Sequence, residues 1–402
     1  MRVWLLSAYD QPKGQSTRTY DYAKELAKRG HKVTFFTNSR CHFTHTDKLK
    51  FFQLTKIEYI DKIRVIWLKT TPYKGNGFAR GINMITNTIR ILQSSFFLKD
   101  APEVVLGPSV PLLTGWCAYI LSIIYKVPFI FDVRDVWPDA LVEMNAIKKN
   151  SFIYLIFKYI EKLLYRKSKF ISSALPFIHD HVAKYNVSKD KIIYIPNGIN
   201  LDNLPQNKNY KGGDSNNLNI LYIGGFSYDH DVESIVLSAK LLQLENDNRF
   251  FFTIIGDGVN KQKCINLAEE SNLTNIAFKE PIKKSNIFAV QNKADILIAS
   301  IKDTTSYRFG INLNKICSYF SSAKPIVFSG NPPNDPVKES MGGISVGAEK
   351  PKDIVKALKK LASMKPSERL EIGMNGYNYA KNKINIKELT NTMEKMFVRA
   401  IA

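Results

Sequence analysis

The feature that most restricts this chain is an alternation of short apolar runs with segments of helical period, carried almost from end to end. Residues 3–7, 33–37, 65–68, 104–106 and 128–132 read as strands, and residues 17–29 and 112–125 read as helices between them. Strands that alternate with helices predict a parallel, doubly wound sheet. The rhythm breaks over residues 200–218, where Lys211-Gly212-Gly213-Asp214-Ser215 is loop chemistry. A second series then begins, with strands expected at 218–223, 250–255, 277–278, 296–299 and 325–328. A chain of 402 residues is too long for one ordinary core. The expected class is therefore α/β, with two Rossmann-like doubly wound domains facing a central cleft. The first spans 1–200, a linker 201–217, the second 218–385, and a last helix 386–402. Open α/β sheets bind ligands at the carboxyl ends of their strands, so both domains are expected to offer those ends to the cleft.

Charge divides the chain further. The net charge is +21, and residues 1–200 hold thirty Lys/Arg against fifteen Asp/Glu. A positive field concentrated in one half points to a polyanionic partner there: nucleic acid, anionic lipid or a diphosphate. Cys41, Cys117, Cys264 and Cys317 are widely spaced and form no CxxC pair, which argues against a zinc site or a disulfide framework. The apolar start, residues 1–9, is followed at once by Asp10 and reads as a buried strand rather than a secretory signal. Residues 104–125 are uncharged and long enough to span a membrane. Pro108, Pro111 and Gly115 divide them, so a buried strand, a loop and a core helix are expected instead.

Several segments offer chemistry. In Arg308-Phe309-Gly310-Ile311-Asn312-Leu313-Asn314-Lys315, Gly310 permits a tight turn and Asn312 stands where an N-cap is expected. The following helix start suits a phosphate, and Lys315 adds a charge that the helix dipole slightly disfavours. A plain loop–helix junction with a solvated lysine is the competing reading. Gly224-Gly225-Phe226 and Gly256-Asp257-Gly258 follow strands, where glycines allow a ligand to approach the backbone, although ordinary turns would also use them. Pro12-Lys13-Gly14-Gln15-Ser16 is no Walker A loop, but the Gly14 N–H and Arg18 are candidates for an anion. Asp132-Val133-Arg134-Asp135-Val136-Trp137-Pro138 packs charges at a strand end, which is costly unless they are paired or used. A salt-bridged turn under Trp137 is the alternative.

Asp229-His230-Asp231 resembles a metal-binding DxD but reads as an acidic helix start. His179-Asp180-His181 reads as a solvated helix face. No HExxH or GxSxG pattern is present, so zinc-peptidase and α/β-hydrolase readings have no support. Residues 152–166 and 80–99 are helical, apolar, aromatic and basic, and suit an anionic membrane interface at their ends. Their central apolar stripes are expected to face the core.

Taken together, these motifs resemble glycosyltransferase family 4, and within it the WbuB-like branch of bacterial surface-polysaccharide enzymes. The likeness runs from Ala8-Tyr9-Asp10-Gln11-Pro12 and Thr17-Arg18-Thr19-Tyr20 through Arg134-Asp135-Val136-Trp137-Pro138 to Ile195-Pro196-Asn197-Gly198-Ile199. It continues through Ile255-Gly256-Asp257-Gly258, Ala294-Asp295 and Asn314-Lys315-Ile316 to Ala323-Lys324-Pro325. The resemblance implies a GT-B fold, a nucleotide-sugar donor, retention of configuration, no required metal or other cofactor, and a C-terminal helix crossing back to the first domain. It implies that Lys315 contacts the donor diphosphate, with Gly310, Asn312, Asn314, Gly14 and Gly225 expected around it. It places Ile282, Ser318 and Gly256 near the base and ribose. Ser318 departs from the family, which has an acidic residue there. Ala8, the single Gly14, and the absence of a basic residue after Gly225 depart from it too.

The expected activity is transfer of a hexosyl or N-acetylhexosaminyl group from a UDP-sugar to a lipid-linked saccharide. The expected place is cytoplasmic, on the inner face of an anionic membrane, in the synthesis of a cell-surface polysaccharide. Helix-end N–H groups and Lys315 would stabilise the charge on departing UDP. Arg134 and Asp135 are the catalytic candidates, with Asp135 either base or salt-bridge partner, and Arg18 and Trp137 are the acceptor candidates. The rivals are a UDP-sugar epimerase, a non-catalytic relative and a nucleic-acid-binding protein. The last would show a basic stripe with regularly spaced aromatics, which is not visible.

Overall fold

The computed structural model describes residues 1–14, 16–42, 44–73, 75, 77–202 and 214–402. It divides into two compact units, Met1–Pro196 with Ile386–Ala402, and Asn197–Asn385. The second unit begins ahead of the segment read as a linker, and most of that segment, residues 203–213, lies outside the described residues.

The first unit is built on one eight-stranded sheet. Its strands are β1 (Arg2–Leu6), β2 (Lys32–Asn38), β3 (Thr55–Ile60), β4 (Ile63–Leu68), β5 (Val104–Pro108), β6 (Phe129–Val133), β7 (Phe170–Ser173) and β8 (Ile192–Tyr194). Their order is β3-β4-β2-β1-β5-β6-β7-β8, and all neighbours are parallel except β3 and β4. Its helices are α1 (Arg18–Lys28), α2 (Phe78–Phe96), α3 (Leu112–Tyr125), α4 (Asp139–Glu143), α5 (Phe152–Lys167) and α6 (His179–Val182).

The second unit holds the strands β9 (Leu218–Ile223), β10 (Phe250–Ile255), β11 (Ile276–Lys279), β12 (Ile296–Ser300), β13 (Ile326–Ser329) and β14 (Gly343–Val346). They form an all-parallel sheet in the order β11-β10-β9-β12-β13-β14. Its helices are α7 (Val232–Leu244), α8 (Lys261–Glu270), α9 (Lys284–Gln291), α10 (Asn314–Ser321), α11 (Pro336–Ser340), α12 (Pro351–Ser363) and α13 (Pro366–Lys383). The chain then returns to the first unit as α14 (Ile386–Ile401).

Parallel sheets are covered on both faces, and β1 shows why its sequence is a continuous apolar run. Val3 and Leu5 join a core with Tyr22 and Leu26 of α1 and Met393 and Phe397 of α14. Trp4 points the other way, its ring 5.0 Å from that of Tyr125 in α3. Glu394 fixes α14 further, 2.8 Å from Arg29 and 2.7 Å from His31. On the opposite face α2, α3 and α5 lie side by side. Helix α3 seats directly on β5 because both surfaces are glycine at the crossing. A Cβ on Gly107 would stand 2.4 Å from the Ala118 Cβ and 3.0 Å from the Gly115 Cα.

Two expectations are corrected here. His181 is not on a solvated face: it is buried, 2.6 Å from the buried carboxylate of Glu161, which Lys158 and the Tyr185 hydroxyl also reach. The alternation in HDHV put its first histidine outward and hid the second under Tyr165 and Tyr185. The central stripe of α2 faces the core only in part. Its buried side carries Met84 and Ile91 with Asn83, Asn87, Thr88, Ser94 and Ser95, whereas Ile85, Ile89 and Phe96 face outward. The strands that the sequence did not announce are β3, β7, β8 and β14, and helices α4, α8, α9 and α11 to α13 were not placed either. Strand β3 is half-buried, and the other three strands have only three or four residues.

Gly107→Ala is expected to destabilise the first unit by about 1–3 kcal/mol, the usual range for overpacking a core contact. Thermal unfolding checks this, and Gly81→Ala, whose Cβ meets nothing within 4 Å, is the control.

Candidate functional site

In the second unit the strand-end loops converge on one lysine. Strand β9 ends in Gly224-Gly225, and Tyr222 lies two residues before them, buried beneath the turn. The Tyr222 hydroxyl donates to the Gly225 carbonyl at 2.6 Å, and the same carbonyl accepts from His230 Nδ1 at 2.7 Å. A carbonyl can only accept, so Nδ1 carries the proton. Burial, with Lys315 nearby, pushes the His230 pKa down to about 4, so the ring is neutral at ordinary pH.

Lys315 donates to the Tyr222 hydroxyl at 3.0 Å and sits over that ring at 4.6 Å. The fit needs Gly224, since a Cβ there would lie 3.0 Å from Lys315 Nζ. Among the described residues Lys315 has no carboxylate ion pair. Desolvation pushes its pKa down to about 7, and Asp229 offsets this only in part. Asp229 is held by the Tyr307 hydroxyl at 2.6 Å and by Ser227. Asp231 accepts from the Ser234 N–H and caps α7, which is the acidic helix start expected of this segment.

The neighbouring backbone is arranged around the same point. The Gly224 N–H bonds to Ile255 and the Phe226 N–H to Asp257, whereas the exposed Gly225 N–H has no acceptor among the described residues. Gly256, at φ +152°, lets two strand ends touch: a Cβ there would stand 1.8 Å from the Gly224 oxygen. Gly310, at φ +100°, turns the 310–315 loop, its N–H bonded to Tyr307. Asn312 is not the N-cap. Leu313 occupies that place with no side-chain cap, and Asn312 is spent on Asn197 instead, through bonds of 2.8 Å to its backbone N–H and from its amide. Asn334 brackets Ile311 in the same way, at 2.6 and 3.1 Å. Helix α10 therefore starts uncapped at the exposed Asn314; the Ile316 N–H bonds to Leu313, and the Asn314 and Lys315 N–H groups have no acceptor among the described residues.

One turn on, Ser318 bonds at 2.9 Å to Gln291, whose side chain is fully buried. Ile282 is half-buried against the same core as α10. A cavity of about 300 Å³ opens at the ends of β12 and β13, lined by Lys302, Thr305, Tyr307, Arg308 and Asn331. The described residues contain no group of three or more His, Cys, Asp or Glu able to hold a metal ion.

In the first unit the charged motif forms a buried network. Arg134 lies 3.0 Å from Asp10 and 3.0 Å from Asp132, and also bonds the Thr19 hydroxyl. Arg18 reaches Asp132 at 3.3 Å and the carbonyls of Ile195 and Pro196 at 2.6 and 2.7 Å. The arginines hold Asp10 and Asp132 below the usual carboxylate range against the desolvation that opposes ionisation. Asp135, by contrast, is exposed, and Trp137 is buried with the Arg80 guanidinium 6.0 Å from its ring. The Gly14 N–H is not available to an anion: it closes the turn by bonding Gln11 at 3.0 Å. Tyr222 and Asn334 are participants that no motif marked. Asp10 and Asn197 stood in motifs of the family likeness, but without a role.

Arg134→Met leaves two buried carboxylates short of a partner and is expected to lower stability by about 3–5 kcal/mol. Both carboxylates are depressed, so their contribution is complete above about pH 4 and is lost as the pH falls. Acid unfolding of Arg134→Met followed by circular dichroism is expected to begin at higher pH than in the parent.

Comparison with known proteins follows the two units. Residues 13–198 match the glycosyl transferase 4-like domain and residues 205–379 the glycosyl transferases group 1 domain. An uncharacterized glycosyltransferase, MJ1069 of Methanocaldococcus jannaschii, is 21% identical over 267 residues, 65% of this chain and 67% of that protein. The sucrose-phosphate synthase of Thermosynechococcus elongatus superposes with a TM-score of 0.76 at 14% identity, covering 99% of this chain and 98% of that one. Anabaena Alr3699/HepE superposes with a TM-score of 0.70 at 11% identity, covering 99% and 100%. The chain is a glycosyltransferase of the GT-B fold, with a glycosyl transferase 4-like N-terminal domain and a glycosyl transferases group 1 C-terminal domain.

Proposed function

We propose that this enzyme moves a hexosyl or N-acetylhexosaminyl group from a UDP-sugar to a lipid-linked saccharide, retaining configuration and using no metal. One observation carries the donor half of this reading. Among the described residues, Lys315 is an ammonium held by a neutral phenol and no carboxylate, at an uncapped helix start and beside the open Gly225 N–H. An ammonium whose pKa burial has lowered gains most from a ligand of opposite charge. A nucleoside diphosphate supplies that charge, and Alr3699/HepE has been solved with UDP-glucose bound. As the sugar departs, charge builds on the β-phosphate, and preorganised N–H groups with Lys315 stabilise it.

The remaining donor candidates take graded roles in this proposal. Gly224 and Gly225 admit the diphosphate to the backbone, Gly310 and Asn312 hold the loop, and Asn314 offers a helix-end N–H. Ile282, Gly256 and Ser318 with Gln291 flank the nucleoside. Arg18 and Arg134 position the strand ends of the first unit, leaving the exposed Asp135 as its carboxylate for catalysis or acceptor orientation. The motif around Arg134-Asp135-Val136-Trp137-Pro138 supports assignment to the WbuB-like branch, and with it a bacterial surface polysaccharide such as capsule or O-antigen and a place at the inner membrane face.

Calorimetric titration with UDP tests the donor site. Lys315→Met is expected to weaken binding by about 10–100-fold, the range for losing a charge-assisted hydrogen bond. Between about pH 7.5 and 9 the phosphate is already fully ionised, so the lysine dominates the titration. Only protonated Lys315 attracts the diphosphate, so affinity falls as pH rises above its pKa, by about tenfold per unit until the pKa of the complex is passed. His230 stays neutral throughout that window, and Lys315→Met is expected to abolish the slope. Unchanged affinity and a preserved slope would remove Lys315 from the donor site. Product analysis with UDP-sugar and no acceptor separates the epimerase alternative, which needs none.

A further inference from the structure

The first unit presents an apolar outer surface that its own fold does not use. On α2 the outward residues Phe78, Ile82, Ile85, Ile89 and Phe96 recur at helical spacing, with Phe78 86% and Phe96 65% exposed. A helix normally turns such a stripe to the core and its polar side to water; α2 buries Asn83, Asn87, Thr88, Ser94 and Ser95 beside Met84 and Ile91 and leaves this stripe outside. The neighbouring helices continue the surface. Helix α3 adds exposed Ile123 and Ile124, and α5 adds Phe152, Leu155, Ile156 and Tyr159. Helices α1 and α14, which cover the other face of the same sheet, expose two large apolar side chains among the described residues, Val398 and Ile401. Apolar exposure of this extent on three helices packed side by side points to an interaction site.

Charge identifies the occupant. Helices α2 and α3 contain no acidic residue, and the one carboxylate of α5, Glu161, is buried against His181 and Lys158. Exposed cations outnumber exposed carboxylates along the border: Lys99 after α2, Lys126 at the end of α3, Lys148 and Lys149 before α5, and Lys162 and Arg166 on it, against Asp100, which lies 3.4 Å from Arg64, and Glu143. A second copy would bring these cations against one another, whereas an anionic surface attracts them. No described helix is long and apolar enough to cross a membrane, so the layer is suited to lie on one. Basic side chains bury their stems and keep their charges at the headgroups, and Tyr159 is suited to the same depth.

We propose that the outer surface of α2, α3 and α5 docks on an anionic bilayer, with the apolar stripe of α2 entering the headgroup–acyl boundary. This deepens the proposal of a lipid-linked acceptor, but it is tested by lipid binding rather than by transfer. The full chain is sedimented with phosphatidylcholine vesicles with and without about one-third phosphatidylglycerol. Binding to the anionic vesicles is expected, weakened by salt. The double variant Ile89→Glu/Leu155→Glu alters side chains that are already exposed, so its melting temperature is expected to match the parent. Its partitioning is expected to fall more than about tenfold. Lys148→Glu/Lys149→Glu is expected to weaken binding to anionic vesicles and leave the weak binding to pure phosphatidylcholine unchanged. Failure of the parent to bind anionic vesicles, or full binding by Ile89→Glu/Leu155→Glu, would overturn the proposal. So would a parent dimer that this substitution dissociates, since the occupant would then be a second copy. Intact UDP binding alongside any of these results would leave the donor site standing.

Discussion

Both sheets are buried on two faces, and that constraint decides where chemistry can stand in this protein. A strand covered on both sides has no parity left for polar side chains. In β1, alternate residues enter opposite cores, and the first buried charge, Asp10, comes only after the strand has ended. In β9, Ile220 enters one core and Leu221 the other, and the glycines follow as soon as the strand ends. Polar groups therefore collect at carboxyl ends, where the last backbone groups of parallel strands also need partners. The site is a product of the sheet before it is a product of any motif.

The two units resolve buried charge differently at those ends. In the first, two arginines and two carboxylates neutralise one another, and Arg18 also satisfies two carbonyls left at the end of β8. Such a network favours one arrangement of the loops but has little capacity to take up a further charge. In the second, Lys315 is kept without a carboxylate pair, and its desolvation is met by a phenol and an aromatic face. Tyr222 connects that ammonium to the backbone, since it accepts from Lys315 while donating to Gly225. A diphosphate that neutralised Lys315 would thus be sensed by the same loop whose N–H it contacts. A cation with no carboxylate partner among the described residues is unfavourable for the fold alone, and that is why the proposal seats the diphosphate beside it.

What could be read in the sequence was periodicity, and what could not was partnership. The strands of both sheets were legible wherever they are continuous apolar runs. The half-buried β3 and the four-residue β7 and β14 carried too little pattern to be seen. Lys315 and Gly225 were legible as residue types at strand and helix ends. Asn312 was misplaced because an asparagine before a helix suits two uses, and only the fold shows that Asn197, over a hundred residues away, competes for it. The Gly14 N–H was given to an anion because local sequence does not show that Lys13, at φ +59°, closes the turn back on Gln11. His181 was missed for a related reason: its partner Glu161 comes from another helix.

Helix α2 shows how a surface becomes free for another use. Its inner face buries Met84 and Ile91 but is anchored by hydrogen bonds as well. Asn83 bonds Thr70 and the Thr71 carbonyl at 2.9 and 2.6 Å, Asn87 reaches Thr114 at 3.2 Å, and the Tyr125 hydroxyl donates to Ser95 at 2.9 Å. Each such bond contributes only about 1 kcal/mol net, but an unmet buried amide would cost more, so the set fixes the rotation of the helix. Turning α2 by half a revolution would bury Ile85 and Ile89, but it would expose Ile91 and Met84 together with the amides, and would leave Thr70 and Thr114 without those partners. Polar anchoring therefore holds the apolar stripe outward in the folded state, independently of whether anything covers it. That is the physical condition a peripheral docking surface must meet, because it has to remain ordered on both sides of the binding equilibrium.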